Sequence, residues 1–309
     1  MCCNVKQQID ISEKLNQLTA TIEAELQNVC ANRLEGPERL IDSMRYSLLA
    51  GGKRIRPALV LLSNELCNGS QQQAIIPALA IEMIHTFSLI HDDLPAMDND
   101  DYRRGKLTNH KVFGEAIAIL AGDALLTYAF ELIAKHYSGS AQTRIGLIAE
   151  LAHATGSAGM TGGQVLDMLF VETCKNARDS KTNIAQAERI HLLKTAALIR
   201  CACRLGAISA SASQEQVDAL SEYGRNIGLA FQITDDLLDQ TKTQRDIGKR
   251  TGKDKQHGKP NYAILTNSVK LAKERAHLLI REAKKSLRIF GEDAYLLHQL
   301  ADLIINRTS

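Results

Sequence analysis

Apolar residues recur along this chain at the spacing that is typical of amphipathic helices. Within residues 8–31, Ile11, Leu15, Leu18 and Leu26 share one face of a helix with about 3.6 residues per turn. No stretch of any length alternates apolar and polar residues in the way that predicts a strand. The same periodicity predicts further helices at about 37–49, 57–66, 74–91, 114–136, 142–155, 158–173, 183–209, 214–238, 260–285 and 292–306.

One of these segments, 114–136, is apolar on nearly all sides, which predicts a helix buried inside a bundle. Asp123 lies within it and needs a partner, because a lone buried charge is costly. The N-terminus has no apolar signal-peptide core, and no segment is predicted to approach the length of a membrane span. We therefore expect a soluble, cytoplasmic, all-α protein with no stable membrane insertion.

The composition agrees with this prediction and excludes some partners. Apolar residues make up 45% of the 309 positions and aromatic residues only 4%, which favours helices over a β-sandwich. The formal net charge of +2 provides no field for nucleic acid, so no nucleic-acid partner is expected. The seven cysteines are odd in number and show no zinc-ligand spacing, which predicts free thiols in a reducing cytoplasm.

The candidate chemistry begins at the end of the predicted helix 74–91. Asp92 and Asp93 directly follow an apolar run, Asp98 comes shortly after, and Arg103 and Arg104 lie behind them. Carboxylates this dense repel one another unless a cation lies among them, and guanidinium groups suit the oxygens of a phosphate. Mg²⁺ fits best, because it is typically held by one or two carboxylates together with substrate phosphates and water.

A second acidic cluster repeats this design near the end of the predicted helix 214–238. Asp235 and Asp239 are four residues apart and lie on one helical face, with Asp236 beside them and apolar residues around them. A solvated acidic segment is the alternative for either cluster taken alone. Because both clusters follow apolar helices and precede basic residues, they predict one metal site shared by two helices.

Further basic residues follow a pair of glycines. Lys53 and Arg56 come directly after Gly51 and Gly52, whose flexible backbone lets cationic groups approach an anion. A third basic group lies in residues 240–259, which carry no core-forming pattern and are predicted to be a loop. For most members of this third group, a solvated loop is an equally good interpretation.

Six short motifs occur in order along nearly the whole chain, and together they are highly specific. They are GGKRIRP (51–57), HDDLPAMDNDDYRRG (91–105), GMTGGQVLD (159–167), KTAAL (194–198), FQITDDLLD (231–239) and GKDKQHGK (252–259). In these motifs the chain resembles the short-chain trans-prenyl diphosphate synthases, closest to the bacterial farnesyl diphosphate synthases (geranyltranstransferases). The resemblance implies a single domain over 1–309, with the isoprenoid synthase type I fold: a helical bundle around a deep apolar cavity. It also implies a homodimer that condenses isopentenyl diphosphate with an allylic diphosphate.

The resemblance also assigns roles to individual residues. The Mg²⁺ ligands and their supporting carboxylates would be Asp92, Asp93, Asp98, Asp235, Asp236 and Asp239. The allylic diphosphate would be contacted by Arg103, Lys194, Lys249 and Lys259, and isopentenyl diphosphate by Lys53, Arg56, His85 and Arg104. Thr195 and Gln232 would face the developing allylic cation and act in catalysis together with Lys194 and Arg103. Without the resemblance, a single histidine such as His85 on an apolar helix is more often a core residue.

Product length is assigned to Phe87, five residues before Asp92, together with Ser88. A bulky residue at this position in the family favours the farnesyl product. The run DNDDYRRGKLTNHKVFGE also resembles plant-type and cyanobacterial geranylgeranyl diphosphate synthases, so the geranylgeranyl product stays open. A terpene cyclase is disfavoured by the second Asp motif, and a non-catalytic subunit by the presence of both clusters.

Overall fold

The computed structural model describes residues 9–176, 180–241 and 268–306, except for the side chains of 171–176, 180–182 and 239–241. The helices are α1 (Ile11–Asn32), α2 (Glu38–Leu48), α3 (Ile55–Leu66), α4 (Gln71–Asp92), α5 (Asn109–Phe113), α6 (Glu115–His136), α7 (Ala141–Thr155), α8 (Met160–Asn176), α9 (Ser180–His191), α10 (Ala197–Ser209), α11 (Gln214–Thr241), α12 (Val269–Ser286) and α13 (Tyr295–Asn306). A π-helical turn (Leu192–Ala196) joins α9 to α10, and a 3₁₀ segment (Leu287–Ala294) joins α12 to α13. The predicted all-α fold is confirmed; the predicted loop 240–259 lies outside the described residues, apart from the end of α11.

The helix that carries the first acidic cluster, α4, lies deep in the fold. It begins at a capping box, in which the Ser70 backbone N–H donates to Gln73 Oε1 at 2.9 Å. Because its residues are apolar around most of the circumference, it packs against α3 on one side and against α6 and α10 on others. Residues such as Leu79, Ile81 and Met83 are fully buried, so α4 is held firmly up to its end at Asp92.

The prediction that residues 114–136 are buried on all sides is wrong. Ile119 and Leu120 on α6 are 43% and 52% exposed, and the Asp123 side chain is 58% exposed, so it needs no buried partner. Only one face of α6, including Leu125 and Ala129, enters the core. A uniformly apolar sequence does not reveal which of its faces the rest of the fold covers, and here one apolar face remains at the surface.

The prediction that no segment approaches the length of a membrane span is also wrong. Both α4 and α6 are long and apolar enough to cross a membrane, judged by length and composition alone. In α4, 72% of the apolar stretch is buried inside the fold, as in the core helix of a globular protein, whereas the share in α6 is 39%.

A short hairpin that the sequence pattern does not predict follows the first acidic cluster. Its strands, β1 (Tyr102–Arg103) and β2 (Lys106–Leu107), are antiparallel and two residues long. Arg104 and Gly105 form the turn, both with positive φ (54° and 77°), as the favoured two-residue hairpin turns require. Strands this short leave no alternating pattern in the sequence. The turn directs Arg103 to Asp93 and Arg104 to the Gly51 carbonyl oxygen.

Candidate active site

A cavity of about 270 Å³ lies beside the C-terminal half of α4 and is bordered by α8, the π-helical turn and α10. Apolar side chains, among them Leu89, Met97, Met160 and Leu198, form much of its wall. The cavity brings together predicted site residues from three separate segments of the chain: Arg56, His85, Phe87, Ser88, Asp92, Lys194 and Thr195.

The chain turns sharply after α4 and returns the first acidic cluster onto the end of the helix. The backbone N–H of Asp98 donates to the Asp92 carbonyl oxygen at 2.8 Å, and that of Asp100 donates to the Asp93 carbonyl oxygen at 3.2 Å. Asn99 adopts the left-handed conformation with a φ of 50°, which allows the reversal. Asp92 and Asp98 are thereby neighbours in space, as two ligands of one metal ion must be.

Asp93 binds an arginine of the hairpin. Arg103 Nε lies 2.9 and 2.8 Å from the two Asp93 carboxylate oxygens, and Arg103 Nη2 donates to Oδ1 at 2.6 Å. The Asp93 side chain is only 4% exposed. A bidentate pair with this burial fixes the hairpin against the end of α4, and leaves the remaining N–H groups of Arg103 for another acceptor.

The Asp92 carboxyl carries the electrostatic signature of a cation site. Burial raises its pKa from the usual 3.8 to about 6, against the lowering effect of Lys194 and with a further rise caused by Asp98. Among the described residues, no three His, Cys, Asp or Glu side chains are grouped closely enough to hold a metal ion by themselves. The two neighbouring carboxylates, Asp92 and Asp98, fit Mg²⁺, which is typically held by one or two carboxylates and completes its shell with water and substrate phosphates.

The glycine pair before α3 accommodates an arginine of the hairpin. Gly51 and Gly52 have φ values of 78° and 137°, and a Cβ on Gly52 would lie 2.7 Å from the Arg104 guanidinium carbon. Arg104 Nη1 donates to the Gly51 carbonyl oxygen. The glycines thus let Arg104 approach the backbone directly before Lys53 and Arg56, so three predicted contacts to isopentenyl diphosphate lie in one region.

Arg54, between these two basic residues, was not singled out by the sequence patterns. It has a left-handed backbone conformation with a φ of 45°, and its side chain is fully buried. The guanidinium donates to Glu23 at 2.7 Å, to Glu82 at 2.5 Å and to the Leu48 carbonyl oxygen at 2.7 Å. These bonds hold the loop in a conformation that is unfavourable for a residue with a Cβ. In the sequence, Glu82 indicates that a buried cation is needed, because it is an acidic residue inside the apolar helix α4.

Arg56 and His85 face the cavity from α3 and α4. Arg56 Nε is buried and has no hydrogen-bond partner among the described residues, and a buried cationic donor of this kind calls for an anion. Burial lowers the Arg56 pKa, whereas Glu82 and Asp235 raise it. Burial and the charges of nearby arginines, Arg56 first, hold the pKa of His85 well below its usual value. His85 is therefore a neutral hydrogen-bonding group near pH 7.

The π-helical turn Leu192–Ala196 presents Lys194 to the cavity. Two helices approach it through glycines: a Cβ on Gly163 of α8 would overlap the Lys194 backbone nitrogen, and one on Gly228 of α11 would lie 2.6 Å from the Ala196 Cα. Lys194 Nζ forms an ion pair with Asp167 Oδ2 at 2.7 Å. The turn interrupts the single helix that is predicted over 183–209. π-helical turns frequently occur at functional sites.

Thr195 and Gln232 belong to one hydrogen-bonded chain. Thr195 Oγ1 donates to Gln232 Oε1 at 2.8 Å, and Gln232 Nε2 donates to Asp236 Oδ1 at 3.0 Å. His191 Nε2 lies 3.6 Å from the other Asp236 oxygen. Asp236 is thus bonded within the protein, whereas the negative charge of Asp235 raises the pKa of Arg56.

Phe87 and Ser88 line the same cavity on the side of α4 that precedes Asp92. Phe87 is 8% exposed, and its ring meets the imidazole of His91 edge-on, with the centroids 5.6 Å apart. Ser88 Oγ donates to the His85 carbonyl oxygen at 2.9 Å. The side chain of Asp239 and the whole of Lys249 and Lys259 lie outside the described residues, so the structure does not place them.

Comparison with known proteins identifies the fold and the chemistry. A family profile described as polyprenyl synthetase matches residues 37–289. The chain belongs to the polyprenyl synthetase family. It is 45% identical over 289 residues to the farnesyl diphosphate synthase of Bacillus subtilis, covering 93% of this chain and 95% of that protein. It is 46% identical over 274 residues to the geranylgeranyl diphosphate synthase of Cyanophora paradoxa, covering 88% and 89%.

A solved structure gives the same result for this polyprenyl synthetase. The crystal structure of an FPP/GFPP synthase from Zymomonas mobilis superposes with a TM-score of 0.80 at 38% identity, covering 95% of this chain and 99% of that chain. The resemblance to trans-prenyl diphosphate synthases is therefore confirmed. The protein is a prenyltransferase of isoprenoid synthesis, a family whose substrates are prenyl diphosphates, and the predicted isoprenoid synthase fold is confirmed as well.

Proposed function

We propose that this polyprenyl synthetase condenses isopentenyl diphosphate with dimethylallyl and then geranyl diphosphate, and releases farnesyl diphosphate. Phe87 carries the assignment of product length, because it places a bulky ring at the cavity wall. It lies five residues before Asp92, which corresponds to about 7.5 Å of helix at 1.5 Å per residue. A prenyl chain that starts at Asp92 and runs back along α4 meets this ring.

The allylic diphosphate binds, in this proposal, where Asp92, Asp98 and Asp235 would hold Mg²⁺. Bound Mg²⁺ supplies Lewis-acid stabilisation of the departing diphosphate. Lys194, held by Asp167, and Arg103, held by Asp93, add positive charge where negative charge develops as the carbon–oxygen bond breaks. Lys249, Lys259 and Asp239 are assigned to the same group on the family resemblance alone.

Isopentenyl diphosphate binds at the adjoining basic region in this proposal. Arg56 provides a buried, unpaired N–H, and His85 provides a neutral imidazole. Lys53 and Arg104 add two further cations at the glycine pair. The Thr195 hydroxyl and the Gln232 amide, already bonded to each other, direct oxygen dipoles towards the allylic cation, and the apolar wall excludes water from it.

The geranylgeranyl product is the second candidate. The 46% identity to the geranylgeranyl diphosphate synthase of Cyanophora paradoxa favours it, and that relative and the Bacillus subtilis farnesyl synthase are almost equally similar to this chain. The two products differ by one isopentenyl unit, so the decision depends on a few side chains at the end of the cavity.

Product analysis separates the two candidates. The parent protein is incubated with Mg²⁺, isopentenyl diphosphate and dimethylallyl diphosphate, and the products are separated by chromatography beside those of Phe87→Ala. We expect farnesyl diphosphate from the parent and longer chains from the variant, because removal of the ring extends the cavity. Phe290→Ala, which removes the same side chain in the 3₁₀ segment, is expected to leave the product unchanged. Geranylgeranyl diphosphate from the parent would overturn the farnesyl assignment.

We also propose that the protein is a homodimer that acts in the cytoplasm as one domain over residues 1–309. Ile119 and Leu120 on α6 and Ile145 on α7, which packs beside it, are 43%, 52% and 62% exposed. Neighbouring helices that both expose large apolar side chains favour an interface with a second copy. Sedimentation of the full chain is expected to give twice the mass of 33.9 kDa, and a monomer would contradict the dimer.

A further inference from the structure

His91 lines the cavity directly before Asp92, and its imidazole bridges two helices. Its Nε2 lies 3.0 Å from the Ile119 carbonyl oxygen on α6, within hydrogen-bonding distance. The same nitrogen lies 3.9 Å from the Asp123 carboxylate. The ring also meets Phe87 edge-on, with an interplanar angle of 84°. The imidazole therefore contacts both the Phe87 ring and α6.

The space for this imidazole exists because residue 122 is a glycine. A Cβ on Gly122 would overlap the Nε2 atom of His91. Gly122 lies in the interior of α6, where glycine is less favourable than alanine because it leaves the unfolded backbone more freedom. A glycine at such a position indicates a packing reason, and here that reason is the imidazole.

The position of His91 restricts the Phe87 ring. The two residues are four apart on α4 and therefore share one face of the helix. The hydrogen-bond contact with α6 fixes the imidazole, and the edge-to-face contact then fixes the ring. Without the imidazole, the Phe87 ring gains a space towards Gly122 into which it can turn, away from the cavity.

We propose that His91, seated on Gly122, is a positioning residue that holds the Phe87 ring in the path of the growing prenyl chain. This inference rests on the proposed function of Phe87 as the limit on chain length. The inference adds that chain length depends on His91 and α6 as well as on Phe87. The Phe87 ring stops elongation only while its contacts keep it from rotating out of the cavity.

Three variants test the proposal by product chromatography under the conditions given for the parent. His91→Ala is expected to raise the ratio of the next longer product to the parent product by about tenfold, the equivalent of 1.4 kcal/mol. Gly122→Ala is expected to shift products towards shorter chains, because its methyl group forces the imidazole towards the cavity. In the double variant the methyl group occupies the space left by the imidazole, so the ratio is expected to return towards that of the parent.

The matched control is Gly146→Ala on α7. Its Cβ would lie 3.7 Å from Ile208, an ordinary contact, so the product ratio is expected to equal that of the parent. The proposal is overturned if His91→Ala lowers the rate without lengthening the product, because His91 would then act through Asp92. It is also overturned if the two single changes do not compensate each other. Each ratio is measured against the product that the parent releases, so a geranylgeranyl parent would remove the farnesyl assignment and leave this test valid.

Discussion

Asp92→Asn is expected to lower kcat/KM for the condensation by about a thousandfold, the upper end of the loss when one preorganised charge-stabilising group is removed. The substitution keeps the shape of the side chain but removes the negative charge. In the structure this residue is half-buried, and the turn that follows α4 brings it next to Asp98. Steady-state kinetics at saturating Mg²⁺ measures the loss.

Asp101→Asn is the matched control, since it makes the same chemical change in the same acidic segment. The Asp101 carboxylate pairs at 2.8 Å with Lys111, and both side chains are well exposed (54% and 43%). We expect kcat/KM to stay within about a factor of three of the parent, because exposed pairs contribute little. Equal losses in the two variants would contradict the assignment of Asp92 to the metal.

The same carboxyl is expected to make the stabilisation of the protein by Mg²⁺ depend on pH. Its pKa in the folded protein, about 6, is above the usual 3.8, so the metal-free folded state binds this proton more tightly than the unfolded state does. Because of this difference, the free energy of unfolding of the metal-free protein increases as the pH falls from about 6 towards 3.8. Mg²⁺ needs the ionised carboxylate, so we expect the rise in unfolding temperature that Mg²⁺ causes in the parent to become smaller below pH 6. We expect the contribution of this carboxyl to that pH dependence to be absent in Asp92→Asn. Thermal unfolding with and without Mg²⁺ at several pH values measures both effects.

Arg54→Met is expected to lower the free energy of unfolding by about 3–5 kcal/mol, the usual cost of removing one partner from a buried ion pair. Methionine retains much of the side-chain length but leaves Glu82, whose side chain is 3% exposed, without its guanidinium. It also removes the donors to Glu23 and to the Leu48 carbonyl oxygen. Denaturant titration followed by circular dichroism measures the change.

Arg225→Met is the corresponding change at the surface. Arg225 pairs at 3.2 Å with Glu222, and the two side chains are 46% and 52% exposed. Its loss is expected to cost less than about 1 kcal/mol. Replacing Arg54 and Glu82 together by methionine is expected to cost less than the sum of the single changes, because the more deeply buried carboxylate, Glu82, is then no longer left unpaired. Additive costs would contradict the role of this pair.

The sequence was sufficient for the features that depend on local spacing. Helical periodicity predicts most helices within a few residues, and the two acidic clusters identify the ends of α4 and α11. Residue type and position predict the aspartates as ligands; the structure brings Asp92 next to Asp98, and the charge of Asp235 raises the pKa of Arg56. The role of each metal ligand stays a prediction.

Features that depend on contacts between distant segments could not be predicted. The bidentate Arg103–Asp93 pair requires a hairpin whose turn is set by positive φ values, and strands of two residues give no periodic signal. Arg54 is one of several basic residues in its motif, and only the buried Glu82 distinguishes it. The exposed face of α6 could not be predicted, because apolar residues give the same pattern in the sequence whether the fold covers them or leaves them at the surface.

The π-helical turn between α9 and α10 makes the length of this segment as important as its composition. A π-helical turn carries one residue more than the corresponding turn of α-helix. Deleting one residue from 192–196 would therefore leave an ordinary α-helical turn, so α9 and α10 would keep their relative register while the side chains within the turn would change direction. Such a deletion would change the direction of Lys194 or Thr195 while every other residue stayed the same. A substitution in this turn therefore alters one contact, whereas a one-residue deletion redirects several of its side chains at once.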